Sequence, residues 1–247
     1  MTAPAVEESG LSIMGPAGPG GPPAPARWLA VQTDGTAVAY AGKVEYGQGI
    51  RTGLAIEVAE ELRLPLEAVT VVLSDTDLVP WDMGTFGSQS TARVGLQLRK
   101  AAATARQALL ELAADRLDLP AAELVAGDGR IASRADASRA VTYAELLSGK
   151  ALSRDIVDDV ALTPPSEFKL FGSRQKRVDA EARVTGRAIY TQDILLEGML
   201  FASVLRRPTT ASKLASGSRR NAARRICADP RSGCSTRGRS PCRRRGC

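Results

Sequence analysis

The 247 residues leave room for one large core or two smaller ones, and the ordinary apolar content (44%) with few aromatics (4%) suits alanine-mediated helix packing better than a stacking platform for bases. The net charge of +6 is unevenly placed: residues 215–247 hold ten arginines and one acid, a segment charge of +9 that leaves −3 on the rest, so the overall charge says nothing about the partners of the body. All four cysteines (Cys227, Cys234, Cys242, Cys247) fall in that tail and histidine is absent. Disulfides, thiolate metal ligands and histidine chemistry are thereby excluded from the body, which enters no catalytic residue and no metal ligand of its own.

No apolar run reaches the ~20 residues of a membrane span, and the acidic, Gly/Pro-rich N-terminus resembles neither a secretory signal nor a twin-arginine leader. A cytoplasmic location is expected. Residues 1–26 end in "GPAGPGGPPAPA", a run too rich in Pro and Gly to hold a helix or a central strand, and read as a disordered lead-in.

Order is expected from residue 27. Leu29 and Val31 alternate before the turn Asp34-Gly35, and Val38 and Tyr40 resume beyond it, a β-hairpin pattern. In "GIRTGLAIEVAEELRL" Ile50, Leu54, Val58 and Leu62 recur every fourth residue while Arg51, Glu57, Glu60 and Glu61 lie off that stripe, which predicts a helix with one buried face. Pro65 helps to end it, and "EAVTVVLSDT" predicts a strand. "DTDLVPWDMGTFGSQST", Asp75 to Thr91, has turn formers and no period, and reads as a long loop of the kind that usually has a function.

A second helix is expected over Ala92–Leu117, with Leu98, Ala102, Ala105, Leu109 and Leu112 on its buried side. A short acidic helix, a hairpin at Asp128-Gly129 and a small helix after Thr142 follow. Residues 150–167 read as a linker.

Two turns carry candidate chemistry. In "VEYGQGIRTG" Gln48 stands between Gly47 and Gly49 directly before a helix, where bare amides and the helix dipole favour an anion and the Gln amide both donates and accepts. Such a turn alone is more often a tight corner, and it matches neither Gly-x-Gly-x-x-Gly, Thr52 standing at the last glycine position, nor a phosphate loop with its lysine. "GTFGSQST", Gly84–Thr91, is a second glycine-hydroxyl turn before a helix. The two turns either converge on one long phosphorylated cofactor or are ordinary helix caps, with Ser90 or Thr91 as the capping residue.

The run from Gly42 to Thr91 resembles the cofactor-binding region of molybdenum hydroxylases, the xanthine dehydrogenase and aldehyde oxidase family, in the arrangement of isoquinoline 1-oxidoreductase type large subunits. The run "RVDAEARVTGRAIYTQDILLEGMLFASVLRRP" is similar to the start of that family's α/β hammerhead domain. The fold class implied is α+β: a partial molybdopterin-binding domain over 27–149, then the linker, then the start of a hammerhead domain over 168–214.

The resemblance implies a molybdenum-molybdopterin cofactor in its cytosine dinucleotide form, held by Gly47, Gln48, Gly49 and Thr52 of the first motif and by Gly84, Thr85, Phe86, Gly87, Ser88, Ser90 and Thr91 of the second. It also implies a small partner subunit carrying 2Fe-2S clusters, and hydroxylation of an aldehyde or N-heteroaromatic substrate with water as the oxygen source. Two departures stand out. Gln89 replaces an arginine usual in the second motif, and Ile56 takes a position usually polar.

The family's Gly-x-Gly-Glu motif, which carries the base, is absent, so this chain alone is expected to be inactive, with a non-catalytic cofactor-binding fragment as the alternative. Residues 215–247 break the family pattern and read as an out-of-frame tail. Nucleic-acid binding through their arginines is disfavoured because no aromatic residue follows Phe201.

Overall fold

The computed structural model describes residues 9–18 and 20–200. The expectations for residues 201–247, the arginine-rich tail and the end of the hammerhead segment, lie outside the described residues. The chain divides into two compact units, residues 1–181 and 182–247.

In the first unit, strands β1 (Gly10–Gly15), β2 (Ala26–Val31), β3 (Ala37–Ala41), β4 (Val69–Leu73) and β8 (Ala151–Asp155) form one sheet in the order β4-β3-β2-β1-β8. The β1/β2 and β2/β3 pairs are antiparallel, and β3/β4 and β1/β8 are parallel. A smaller antiparallel sheet is made by β5 (Leu124–Gly127), β6 (Arg130–Ser133) and β7 (Ala140–Thr142).

Helix α1 (Ile50–Leu62) connects β3 to β4, and α2 (Leu96–Leu117) follows the long loop. Successive strand residues point to opposite faces. Leu29 and Val31, Ala37, Ala39 and Ala41, and Val69 and Val71 therefore join one core with Leu54, Val58 and Leu62 of α1 and Leu98, Ala102, Ala105 and Leu109 of α2. Ala30, Val38, Tyr40 and Val72 turn to the other face, where Leu78 and Val79 of the loop cover them. The hairpin and both long helices follow the sequence periodicity.

Three expectations are corrected. First, part of the supposed disordered lead-in is ordered: "GLSIMG" forms β1, with Leu11 and Ile13 fully buried, and Gly10 is required there because a Cβ would meet Val31 O at 2.3 Å. The Pro/Gly composition of the following residues hid a short apolar alternation. Second, residues 150–167 are more than a linker, because β8 pairs in parallel with β1 and Thr163 is buried.

Third, α1 is buried almost all round: Glu57, Glu60 and Glu61 are inside along with the apolar stripe. Charged residues are rarely buried unless paired. Glu61 meets Arg99 and Arg106 of α2, and Glu60 accepts from the main-chain N–H groups of Lys169, Leu170 and Phe171.

Among the described residues no strand follows β8, so the opening strands expected of a hammerhead domain are not shown. Within the described part of the second unit, Ile189, Leu195, Leu196 and Leu200 are exposed.

Helix α3 (Tyr143–Leu147) starts as read after Thr142, whose hydroxyl accepts from Glu145 N while the Glu145 carboxylate accepts from Thr142 N, a reciprocal cap. Tyr143 is fully buried and its hydroxyl donates to Leu62 O at 2.7 Å, which satisfies a carbonyl at the end of α1. Tyr143→Phe is expected to cost about 1–2 kcal/mol in denaturant unfolding, because that carbonyl stays buried without its donor.

Candidate functional site

Strands β3 and β4 lie side by side and parallel, with Ala41 opposite Leu73. The chain leaves both at the same sheet edge, as βαβ geometry dictates, and ligands of such sheets bind beyond the carboxyl ends of the strands. The turn Val44–Gly49 follows β3, and the loop from Asp75 follows β4. The two glycine turns therefore meet although a helix and a strand separate them in sequence.

Side chains lock them together. Lys43 is 4% exposed, and its Nζ donates to Asp82 Oδ1 and to Gly84 O, both at 2.8 Å. Asp82 Oδ1 also accepts from Gly84 N. Val44 N donates to Thr85 Oγ1 at 2.8 Å, and the Tyr46 hydroxyl donates to Thr85 O at 3.0 Å. A buried lysine paired with an aspartate and capped by a carbonyl is a satisfied charge, which is what makes its burial sustainable. Gly42 lies under the loop, where a Cβ would meet Asp82 Cβ at 2.4 Å.

The turns differ in what they offer. In the first, Glu45 supplies an internal anion: Oε1 accepts from Gly47 N (2.8 Å) and Gly49 N (3.0 Å), and Oε2 accepts from Arg51 N (3.1 Å). Burial pushes the Glu45 carboxyl upward, but the amide bonds from Gly49, Arg51 and Gly47 and the Arg177 charge outweigh it and hold the group below the usual glutamate range. Gln48 turns inward on its own corner, with Oε1 accepting from Tyr46 N and Nε2 donating to Val44 O. Thr52 is buried and its Oγ1 accepts from Val178 N. The space where a Gly47 Cβ would stand is open, so a ligand can approach that backbone closely.

The second turn keeps its donors. Gly87 and Ser88 are consecutive left-handed residues (φ 64° and 56°), and among the described residues the amides of Thr85, Phe86, Gly87 and Ser88 find no protein acceptor. The hydroxyls of Ser88, Ser90 and Thr91 are likewise without a protein partner there. The helix does not begin with a Ser90 or Thr91 cap: Gln89 precedes a π-helical turn, Ser90–Gly95, which runs directly into α2. Gln89, in place of the expected arginine, donates to Gly87 O at 3.0 Å and closes the turn. Tyr46, Met83 and Phe86 stand exposed around this surface.

The sequence reading named the residues of both turns but missed Lys43, Asp82, Glu45 and Arg177, which hold them. For Glu45 a local signal existed: a carboxylate two residues before Gly47 and four before Gly49 reaches helix-start amides. For Lys43 and Arg177 none did, because their partners lie far along the chain.

A parallel βαβ unit with two polar turns at the carboxyl ends of its strands, one with donors that find no acceptor among the described residues, has the layout of a ligand-binding site. The sequence matches the family model of the molybdopterin cofactor-binding domain over residues 2–191, and the chain belongs to that family.

The B subunit of nicotinate dehydrogenase from Pseudomonas putida is 40% identical over 183 residues, covering 74% of this chain and 15% of that one. The beta subunit of isoquinoline 1-oxidoreductase from Brevundimonas diminuta is 30% identical over 216 residues, covering 72% and 28%. CO dehydrogenase from Oligotropha carboxidovorans aligns with a TM-score of 0.45 at 27% identity, covering 48% of this chain and 15% of that one. The chain thus spans less than a third of the length of these relatives. The resemblance to molybdenum hydroxylase large subunits holds at the level of the family. Among the described residues no helix is long and apolar enough to cross a membrane.

Proposed function

We propose that this chain forms the molybdopterin-binding part of a molybdenum hydroxylase large subunit, with the cofactor lying across the Gly47–Gly49 and Gly84–Thr91 turns. One observation carries the reading: the two turns are bolted side by side at the carboxyl ends of β3 and β4, and one of them holds a cluster of amides and hydroxyls with no protein partner among the described residues. That division assigns roles. The second turn, through the amides of Thr85–Ser88 and the hydroxyls of Ser88, Ser90 and Thr91, takes the anionic end of a dinucleotide-form cofactor. The first turn, its amides already engaged by Glu45, serves as a preformed wall, with open backbone at Gly47 and the polar edge of Gln48.

When bound, the cofactor supplies the oxidising centre for hydroxylating an electron-poor carbon with water as oxygen source. The substrate is an aldehyde or an N-heteroaromatic ring, and the names of the two relatives above carry nitrogen-ring compounds, nicotinate and isoquinoline. Both relatives are named as subunits, which supports a separate partner, and a small subunit with 2Fe-2S clusters fits the need to carry electrons away. The exposed apolar residues that follow Glu181, and the run they belong to, fit the start of a hammerhead domain.

The test is cofactor content. Chain produced in a host that makes the molybdenum cofactor is expected to carry molybdenum, pterin and a cytidine nucleotide in equal amounts after desalting. Ser88→Asp places a negative charge among the donors, in a left-handed conformation that Asp tolerates, and is expected to lower that content at least tenfold with an unchanged circular dichroism spectrum. Wild-type chain free of pterin and molybdenum, or a Ser88→Asp chain that keeps them, overturns the reading.

A further inference from the structure

The Gly47–Gly49 corner is held from a part of the chain 130 residues away, through a main-chain carbonyl of the corner and the Glu45 carboxylate. Arg177 Nη1 donates to Gly47 O at 3.0 Å, and Nη2 lies 3.5 Å from Glu45 Oε1, the same carboxylate that accepts from Gly47 N, Gly49 N and Arg51 N. Asp179 fixes the guanidinium from behind, Oδ1 on Nε at 2.9 Å and Oδ2 on Nη2 at 3.0 Å. The next amide, Val178 N, donates to Thr52 Oγ1 on the first turn of α1.

The Glu45 side chain is 7% exposed, so the anion at the heart of the corner is nearly shut off from water. Gly47 and Gly49 adopt left-handed φ of 120° and 83° on either side of Gln48, and glycine loses more freedom than any other residue when fixed. A corner of this kind keeps one shape only where its surroundings over-determine it. The planar fork of Arg177 does so by joining a carbonyl of the corner and the carboxylate that gathers its amides, a double contact a lysine point charge does not reproduce.

The geometry points to Arg177, acting through Glu45, as the positioning residue of the Gly-Gln-Gly corner: the arm 177–179 sets the shape in which the corner meets the second turn. The consequence for cofactor binding rests on the proposed function above, while the consequence for the corner itself does not.

Hydrogen–deuterium exchange on the intact chain, read on peptides spanning 44–53 and on a control from α2 spanning 98–112, separates the two. Arg177→Lys and Arg177→Ala are expected to speed exchange of 44–53 at least tenfold and leave 98–112 unchanged. Glu45→Gln, which keeps an oxygen acceptor but loses the charge, is expected to give a smaller increase in the same peptide. If wild-type chain retains pterin, the Arg177 variants are expected to retain less. Unchanged exchange in 44–53, or an equal rise in both peptides that tracks a lower Tm, overturns the inference. A local rise in 44–53 in a chain that never retains pterin supports the clamp and sinks the cofactor reading instead.

Discussion

Glu61→Ala is expected to lower the unfolding free energy by about 3–5 kcal/mol, the range for removing one partner of a buried ion pair. The carboxylate is wholly buried. Oε1 accepts from Arg99 Nε (2.9 Å) and Nη2 (2.6 Å), and Oε2 accepts from Arg106 Nη1 (3.1 Å) and the Thr163 hydroxyl (2.9 Å), with Thr163 N donating to both oxygens. Arg106 Nη1 also reaches the main-chain oxygen of Glu61.

One side chain therefore joins α1, α2 and the segment around Thr163, and its loss leaves two guanidinium groups and an amide facing a void. Urea unfolding at neutral pH measures the cost. The triple variant Glu61→Leu, Arg99→Met, Arg106→Met removes the charges together and is expected to recover most of the loss, since a buried network exchanged for apolar side chains is often neutral or better. A Glu61→Ala chain as stable as wild type would show that Glu61 does not hold these elements together.

Glu57, one turn earlier on the same helix, is expected to behave in the opposite sense. It is 3% exposed, and among the described residues no hydrogen bond reaches its carboxylate. Burial pushes it up to about 7 from an ordinary 4.5, against the opposing pull of the Arg99 charge. The folded chain thus holds the proton more tightly than the unfolded one. The stability this confers is fully present below about pH 4.5 and is lost as pH rises through about 7, with a total near 3 kcal/mol.

Glu57→Gln is expected to remove that slope, so that the variant is no more stable than wild type at pH 4.5 yet more stable by up to about 3 kcal/mol at pH 8. Paired urea titrations at the two pH values decide it, and a constant difference between wild type and variant would refute the assignment. On the neighbouring π-helical turn a Cβ on Gly95 would stand 2.1 Å from Glu57 Oε2, so the carboxylate is packed directly against that backbone.

What was legible in the sequence is what a short window decides. Alternation at Leu29–Val31 and Val38–Tyr40, the fourfold spacing from Ile50 to Leu62 and the aperiodic run from Asp75 each name their own structure, and the structure agrees. The rest depends on partners that no window contains. Strand β8 is mostly exposed and exists because β1, at the other end of the described chain, offers a parallel edge. Glu57, Glu60 and Glu61 lie off the apolar stripe and so read as solvated, but Arg99, Arg106, Thr163 and the amides of 169–171 bring Glu60 and Glu61 inside, and Glu57 is buried against Gly95.

The site shows the same split. Both turns were visible as glycine-polar runs, whereas their meeting required the β3/β4 pairing, and the engagement of the first turn's amides by Glu45 required a bond that composition does not reveal.

Glu60 has a mechanical consequence. Its carboxylate gathers the amides of Lys169, Leu170 and Phe171 at the last turn of α1, and only the short run from Gly172 to Lys176 separates that knot from Arg177. The run between them folds back on itself, with Ser173 N donating to Leu170 O and Gln175 N to Ser173 O. The helix that starts at the Gly-Gln-Gly corner is thus gripped at both ends by one stretch of chain, 169–178, anchored on Glu60 at the far end and on the corner at the near one.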